Sequence, residues 1–318
     1  MSRFKLFSLV FCCLLAVLSL CSCELAMEAM YGTPTFTKVN VLVYGNNYSD
    51  SYTIAVNEEG EQGKAKVNPL SFTAKDANQV GQALEALAKA SKIECNAKYI
   101  VSGTASTSKE NFIAEMNNLA KYSTSSELTI IFFSCHGFIE GSETKIDYSS
   151  KPQTSFVMCE NNGDMVKFYD HEEFKEDLAK IKGTKVVFAD VCYSGGLVDS
   201  SNVSINTNEY SGIDVFSLFW DYQVFENSDN FYLTASRYYQ KSYEYHKNDP
   251  EQHGFFTLDL LEALGWDEEN QKITGKSGPL TFFDICQYVV KNNKSSGSER
   301  QDPMLNSGSN DVVLFYIK

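Results

Sequence analysis

Two short stretches carry the residue types that do covalent chemistry. One is TKVVFADVCYSGG, Thr184 to Gly196, and the other is LTIIFFSCHG, Leu128 to Gly137. Each is an apolar run that stops at a reactive residue: Cys192 in the first, His136 in the second, 56 positions earlier. A thiol alone means little, because cysteine packs readily as a small buried hydrophobe. A thiol facing an imidazole is different. The thiol attacks a carbonyl carbon once a base takes its proton, and a histidine can take that proton and later return it to the leaving group. The glycines that follow, Gly137 and Gly195-Gly196, let backbone come close to a substrate and leave N–H groups to face a developing oxyanion.

For that pair to meet, the strands that carry it must be neighbours running the same way. The rest of the chain supplies such a frame. Val39–Tyr44 reads as a buried strand, and Thr73–Ala90 as a helix with Val80, Leu84 and Leu87 on one face. Ala97–Ser102 is a second strand. Thr107 and Glu110 form a capping-box pattern ahead of Phe112, Ile113, Met116 and Leu119 at helical spacing. Leu128–Ser134 is a third strand. A hairpin follows through SFVMCENNGDMVKFY, turning at Asn162-Gly163. Asp170 and Glu173 open a helix that carries Phe174, Leu178 and Ile181 and stops at Gly183. Lys185–Ala189 and Phe231–Ala235 are the fourth and fifth strands, Thr257–Leu264 and Thr281–Val290 are helices, and Asp311–Ile317 is a last strand. Apolar strands alternating with helices predict an α/β fold on a mostly parallel sheet, in which ligands bind at the carboxyl ends of the strands. His136 and Cys192 stand at two such ends.

The two stretches, in that order and each after an apolar strand, resemble the caspase-like clan of cysteine peptidases, nearest to metacaspases and their bacterial relatives. FYLTASRYYQKSYEY, HGFFTLDLLEAL, GPLTFFDICQYV and QDPML are similar to that family's later segments, so the resemblance spans roughly residues 38–318. The caspase pattern Gln-Ala-Cys-x-Gly is absent, which disfavours a caspase proper. The resemblance implies a three-layer fold with about six mostly parallel strands flanked by helices. It implies Cys192 as nucleophile, His136 as general acid and base, and the N–H groups of Gly137 and Cys192 as oxyanion hole. Asp190 matches an acid at the base of the primary specificity pocket. Relatives with an acid there cleave after Arg or Lys, whose cations a buried carboxylate can pair. The segment around Ser236 is implied to line the cleft through its backbone. Some relatives need calcium, which this sequence does not decide; no cofactor and no metal site are expected. Cys135 departs from the family pattern, and packing is the preferred reading over a disulfide with Cys192.

The ends and the charge bound the setting. Arg3 and Lys5 precede the uncharged, mostly apolar Leu6–Leu20, as in a secretory signal, and Leu20-Cys21-Ser22-Cys23 resembles a bacterial lipobox with Cys23 as the lipidated residue. The expected organisation is a signal peptide over 1–22, a tether over 23–37 and a peptidase domain over 38–318, exported and anchored to a membrane by its lipid. Plain secretion and an uncleaved anchor are the alternatives. The net charge of −14 argues against nucleic acid as a partner and for basic protein or peptide substrates. Of nine cysteines, Cys95, Cys135, Cys159, Cys192 and Cys286 lie beyond the signal, with no metal-ligand spacing. The rival His253-Gly254 begins a helix rather than ending a strand, and His171 and His246 sit on polar segments and are expected to be solvated.

The leading expectation is therefore a cysteine endopeptidase cutting after Arg or Lys. The alternatives are an inactive caspase-like binding protein, and a thiol acyltransferase or transpeptidase built on the same pair. One consequence is readable at once. No Lys or Arg lies between Lys185 and Arg237, whereas Asp190, Asp199, Glu209, Asp214, Asp221, Glu226 and Asp229 do. An enzyme specific for basic residues cannot cut itself there, so the active form is expected to remain a single chain on a denaturing gel. A two-fragment product with a new N-terminus inside 193–236 would contradict this.

Overall fold

The apolar strands are central because both of their faces are covered. The computed structural model describes residues 36–48, 53–58, 61–139, 154–159, 166–198, 230–246, 248–275, 277–306 and 311–317, with backbone alone for 53–66. The signal segment, Cys23, the Asn162-Gly163 turn and the acidic stretch 199–229 lie outside these residues.

In chain order the elements are β1 (Lys38–Gly45), a hairpin of β2 (Thr53–Glu58) and β3 (Glu61–Lys66), α1 (Thr73–Ala90), β4 (Glu94–Val101), α2 (Lys109–Tyr122) and β5 (Glu127–Cys135). A small antiparallel sheet follows, of β6 (Gly137–Ile139), β7 (Thr154–Cys159) and β8 (Val166–Tyr169), then α3 (His171–Lys180), β9 (Thr184–Val191) and β10 (Asn230–Thr234). The chain ends with α4 (Phe255–Ala263), the short β11 (Trp266–Asp267) and β12 (Lys272–Ile273), β13 (Gly278–Thr281), α5 (Phe282–Asn292), β14 (Met304–Asn306) and β15 (Val313–Ile317).

The main sheet has the order β14-β10-β9-β5-β1-β4 and is parallel except for β14. This is the α/β, three-layer arrangement with about six mostly parallel strands flanked by helices that the resemblance implies. The sixth place differs from the sequence reading. Val313–Ile317 pairs with β13 in a separate two-stranded sheet, and the edge of the main sheet is taken by Met304–Asn306, too short to announce itself.

Alternation along each strand sorts its side chains between two cores. Val39, Val41, Val43, Ile130, Phe132, Val186 and Phe188 face a core shared with α1, α4 and α5. Leu42, Tyr44, Ile131, Phe133, Val187 and Ala189 face a second core with α2 and α3. Local signals set the helix starts. Asp170 caps α3 by accepting from Glu173 N, and Thr281 with Asp284 forms the capping box of α5. For α2 the cap is Ser108, which accepts from Asn111 N, one residue later than the Thr107 pattern suggested.

The second core is largely aromatic. Phe133 stacks on Phe156 at 3.9 Å between centroids and meets Phe112 and Phe174 at 5.1 and 5.5 Å. Phe133→Ala would leave a cavity between β5 and the small sheet. A loss of about 3–5 kcal/mol in unfolding free energy is expected by urea titration.

Candidate active site

The ladder between β5 and β9 runs in parallel register from Leu128 opposite Thr184 to Cys135 opposite Val191. His136 and Cys192 are the next residue on each strand, so the two leave the sheet side by side at its carboxyl edge. Gly137 shows how close they come. A Cβ there would lie 2.0 Å from the Cys192 carbonyl oxygen and 2.6 Å from a Val191 methyl, so no side chain fits. The Gly137 N–H also faces the Cys192 sulfur.

Asn68 and Tyr48 hold His136 through its ring and its main chain. Its Nε2 lies 2.7 Å from the Asn68 carbonyl, which can only accept, so Nε2 carries the proton and Nδ1 is left as the basic nitrogen. The His136 N–H donates to the Tyr48 hydroxyl at 3.1 Å, and the two rings lie 4.8 Å apart, centroid to centroid. Tyr48 in turn donates to the Val157 carbonyl and adopts φ +56°, a left-handed backbone that costs a tyrosine energy and is retained where surroundings enforce it. Burial pushes the His136 pKa down, the Asn68 bond opposing, so the ring is a neutral base at neutral pH.

Cys192 is similarly poised as a thiol. Its Sγ donates to the Ser242 carbonyl at 3.5 Å. Burial pushes its pKa up; the Ser242 and Gly137 main chain and nearby Lys241 pull the other way, and Asp190 adds to the rise. Sulfur and imidazole thus each rest on a main-chain carbonyl. Such pairs commonly close only when a substrate enters.

The turn that presents the thiol is strained and braced. Tyr193 has φ +63°, its N–H donates to the Gln240 carbonyl at 2.7 Å, and its own carbonyl accepts from Thr154. A Cβ on Gly195 would meet the Tyr238 nitrogen at 2.7 Å, so the turn lies flat on the stretch after β10. Ser236 is fully buried beneath it. Its N–H donates to Ser194 Oγ and its hydroxyl to the Val191 carbonyl, at 3.3 and 3.2 Å. These bonds occupy Ser236 in holding the cysteine turn; the backbone that reaches the thiol is that of Ser242. Gln301 accepts from Tyr243 N at 2.8 Å, and Asp302 accepts from Gln240, so the QDPML segment anchors this strap.

Behind the pair lies a cluster of buried acids. Ser134 and Asp190 are opposite one another in register, and alternation turns both toward α1 and α4, away from Cys135. Asp190 is 7% exposed. It accepts from Thr257 N and Oγ1 at 3.1 and 2.7 Å, both in the first turn of α4, where free N–H groups and the helix dipole favour a negative charge. Its other oxygen accepts from the Ser242 hydroxyl. Burial first, then the Asp76 charge, pushes its pKa up to about 7. No cationic side chain forms an ion pair with Asp190 among the described residues. Asp76, in the first turn of α1, accepts from Ser134 Oγ at 3.0 Å and contacts His253 at 2.7 Å. Gly254 packs against both carboxylates, since a Cβ there would lie 2.2 Å from Asp190 and 3.4 Å from Asp76.

Thus the structure brings together Cys192, His136, Gly137 and Asp190, with Ser236 as a brace. Cys135 is a free thiol buried in the second core, on the face opposite Asp190. His246 is exposed, as expected, but His171 is buried: it opens α3 against the second core instead of facing solvent. Tyr48, Asn68, Asp76 and Ser242 escaped the sequence reading, and His253 entered it only as a rival to His136. Two had a signal. Tyr48 follows the end of another central strand, and Asp76 falls on the stripe of Val80, Leu84 and Leu87, where a charge is out of place. Among the described residues no cluster of His, Cys, Asp or Glu is arranged to hold a metal, and no helix is long and apolar enough to cross a membrane.

No family model and no curated protein matches this chain. Among solved structures, protein GSU0716 from Geobacter sulfurreducens is 15% identical, aligned over 86% of this chain and 95% of its own, with a TM-score of 0.50. Caspase-1 from Spodoptera frugiperda is 11% identical over 89% of this chain and 91% of its own, with a TM-score of 0.47. At such identities a likeness is one of fold, and no residue's role passes with it.

Gly137→Ala tests the site without touching either reactive side chain. The added methyl must push the Cys192 carbonyl away, so modification of the thiol by an electrophilic substrate analogue should slow ~100-fold or more, the cost of misplacing a reacting group by about 1 Å. Circular dichroism should show the fold retained.

Proposed function

We propose that the protein is a cysteine endopeptidase of the caspase-like clan, nearest to metacaspases, that hydrolyses peptide bonds after Arg or Lys. The observation that supports this most is the in-register exit of His136 and Cys192, with the Gly137 N–H facing the sulfur and, beneath, the carboxylate of Asp190, which has no ion-pair partner among the described residues. The proposed setting is an exported protein held to a membrane by a lipid on Cys23.

On this reading, a substrate's cationic side chain approaches Asp190 between the Ser242 strap and the start of α4. The scissile carbonyl oxygen takes the place before the Gly137 and Cys192 N–H groups. Cys192 Sγ attacks the carbonyl carbon while its proton moves to Nδ1 of His136, and the C=O electron pair becomes the oxyanion held by those N–H groups. When the tetrahedral intermediate collapses, the C–N bond breaks and His136 returns the proton to the departing amine. A thioester remains. Water then attacks it, giving a proton to His136, and the carboxylic acid leaves as the thiol reforms. Asn68 keeps the ring in the tautomer that can do both transfers.

Labelling with an arginyl acyloxymethyl ketone should mark the intact protein and not Cys192→Ala. The labelling rate should rise with pH through about 7, because Asp190 must lose its proton to pair the probe's guanidinium. Labelling by an aspartyl probe instead would overturn the assigned specificity, and no labelling by either would favour a non-catalytic binding role.

A further inference from the structure

We propose that His253, held as an imidazolium between two carboxylates, is the internal counter-ion of Asp76 and so reserves Asp190 for the cation of a substrate. This rests on the reading of Asp190 as the specificity acid, and assigns a positioning residue that acts through it.

The geometry sets the charge on His253. Its Nδ1 lies 2.7 Å from Asp76 Oδ1 and its Nε2 lies 2.9 Å from Glu268 Oε2. A neutral imidazole has one N–H and one lone pair, and a lone pair cannot face a carboxylate at such a distance without repulsion. Both contacts become hydrogen bonds only when both nitrogens are protonated. The side chain is 1% exposed, so bulk solvent does not share the task. Burial disfavours its charge, yet the Asp76 and Glu268 bonds outweigh this and hold its pKa above the ordinary value.

The two carboxylates need His253 unequally. Glu268 is partly exposed and has a second cation, Lys75, at 3.0 Å. Asp76 is buried, and its other donors, Ser134 and the Gly254 N–H, are neutral. Among the described residues, His253 is the cation it contacts. Two buried carboxylates against one glycine would otherwise repel, and one would take up a proton. Which one does so decides whether a basic side chain finds a charge. The imidazolium on Asp76 leaves the remaining negative charge at Asp190, beside the thiol.

Other charges face this group. Glu244 on the strap feels Asp76 and accepts from the Ser71 and Phe72 N–H groups. Lys75 lies on α1 beside Glu268. The Cys192 and Cys135 thiols feel the Asp190 charge, and Lys241 acts on Cys192. Neither Glu244 nor Lys75 substitutes for the direct contact of His253 with Asp76.

The test compares His253→Gln, Asp76→Asn and the double variant, with kcat/KM for an arginyl peptide amide measured between about pH 5 and 9. Removing the imidazolium leaves Asp76 uncompensated and makes Asp190 harder to ionise. The acid limb of His253→Gln should therefore move up by about one pH unit, with a ~5-fold loss at pH 7 that approaches ~10-fold at about pH 5, carried by KM. Asp76→Asn should move the limb down. The double variant, having lost both charges, should return close to the parent. An unmoved limb in His253→Gln, or a double variant impaired by both losses together, would overturn the proposal. Should a variant fail to fold, nitrogen-15 NMR of the histidines in the unaltered protein decides: at about pH 7, just above the ordinary histidine value, His253 is expected with both ring nitrogens protonated, and a neutral ring there would refute its role. If no arginyl probe labels Cys192, the peptidase reading fails, whereas the NMR result still decides the state of His253.

Discussion

The parallel register of β5 on β9 is the constraint on which the site depends. Pairing Cys135 with Val191 does three things at once. It ends both strands at the same height, so His136 and Cys192 emerge together. Through the two-residue period it sends Ser134 and Asp190 to one face, where α1 and α4 supply donors. It sends Cys135 to the other face, where aromatic rings close over it. A slip of one residue would exchange these faces, putting a carboxylate into the core of Phe133 and Phe156. The apolar side chains that fill both cores therefore enforce the register, and the register places the chemistry.

Around that fixed point the protein uses main chain where it needs precision. Asn68 and Ser242 act through their carbonyls, Gly137 through its N–H, and Gly195 through the absence of a side chain. Backbone groups cannot rotate away as side chains can, and their positions follow from the sheet and the strap. The strap is itself fixed from a distance by Gln301 and Asp302. This explains why the antiparallel β14 matters although it is only three residues long: it joins β10 to the segment that holds the strap above the thiol.

The sheet, and the exit of His136 and Cys192 from neighbouring strand ends, were legible in the sequence because both depend on local pattern. Continuous apolar runs mark buried strands, and a reactive residue at the end of such a run is conspicuous. What was hidden depends on distant pieces of chain. The Asn68 carbonyl meets His136 across 68 positions, and a carbonyl has no side-chain signature. Asp76 and His253 are 177 positions apart. His253 looked like a failed copy of His136-Gly137 because only the local dipeptide could be compared. Its partners identify it as part of a charge lattice. His171 misled for the same reason: its neighbours in sequence are acidic, yet the first turn of α3 packs inward.

The charge states follow from desolvation rather than from attraction between the two reactive groups. Burial holds the thiol protonated, keeps His136 neutral and lifts Asp190 to about 7. A thiol and imidazole so arranged carry little charge themselves, which limits the cost of burying them. On the proposed reading, the substrate changes this. A guanidinium beside Asp190 favours its ionised form, just as a like charge at Asp76 opposes it. The same occupant carries the scissile carbonyl toward the Gly137 N–H and displaces the contacts on which thiol and imidazole rest. Binding of the correct side chain and assembly of the reactive pair are then one event. A neutral side chain would bring neither the charge that completes Asp190 nor the position that completes the pair, so discrimination would appear in the chemical step as well as in affinity.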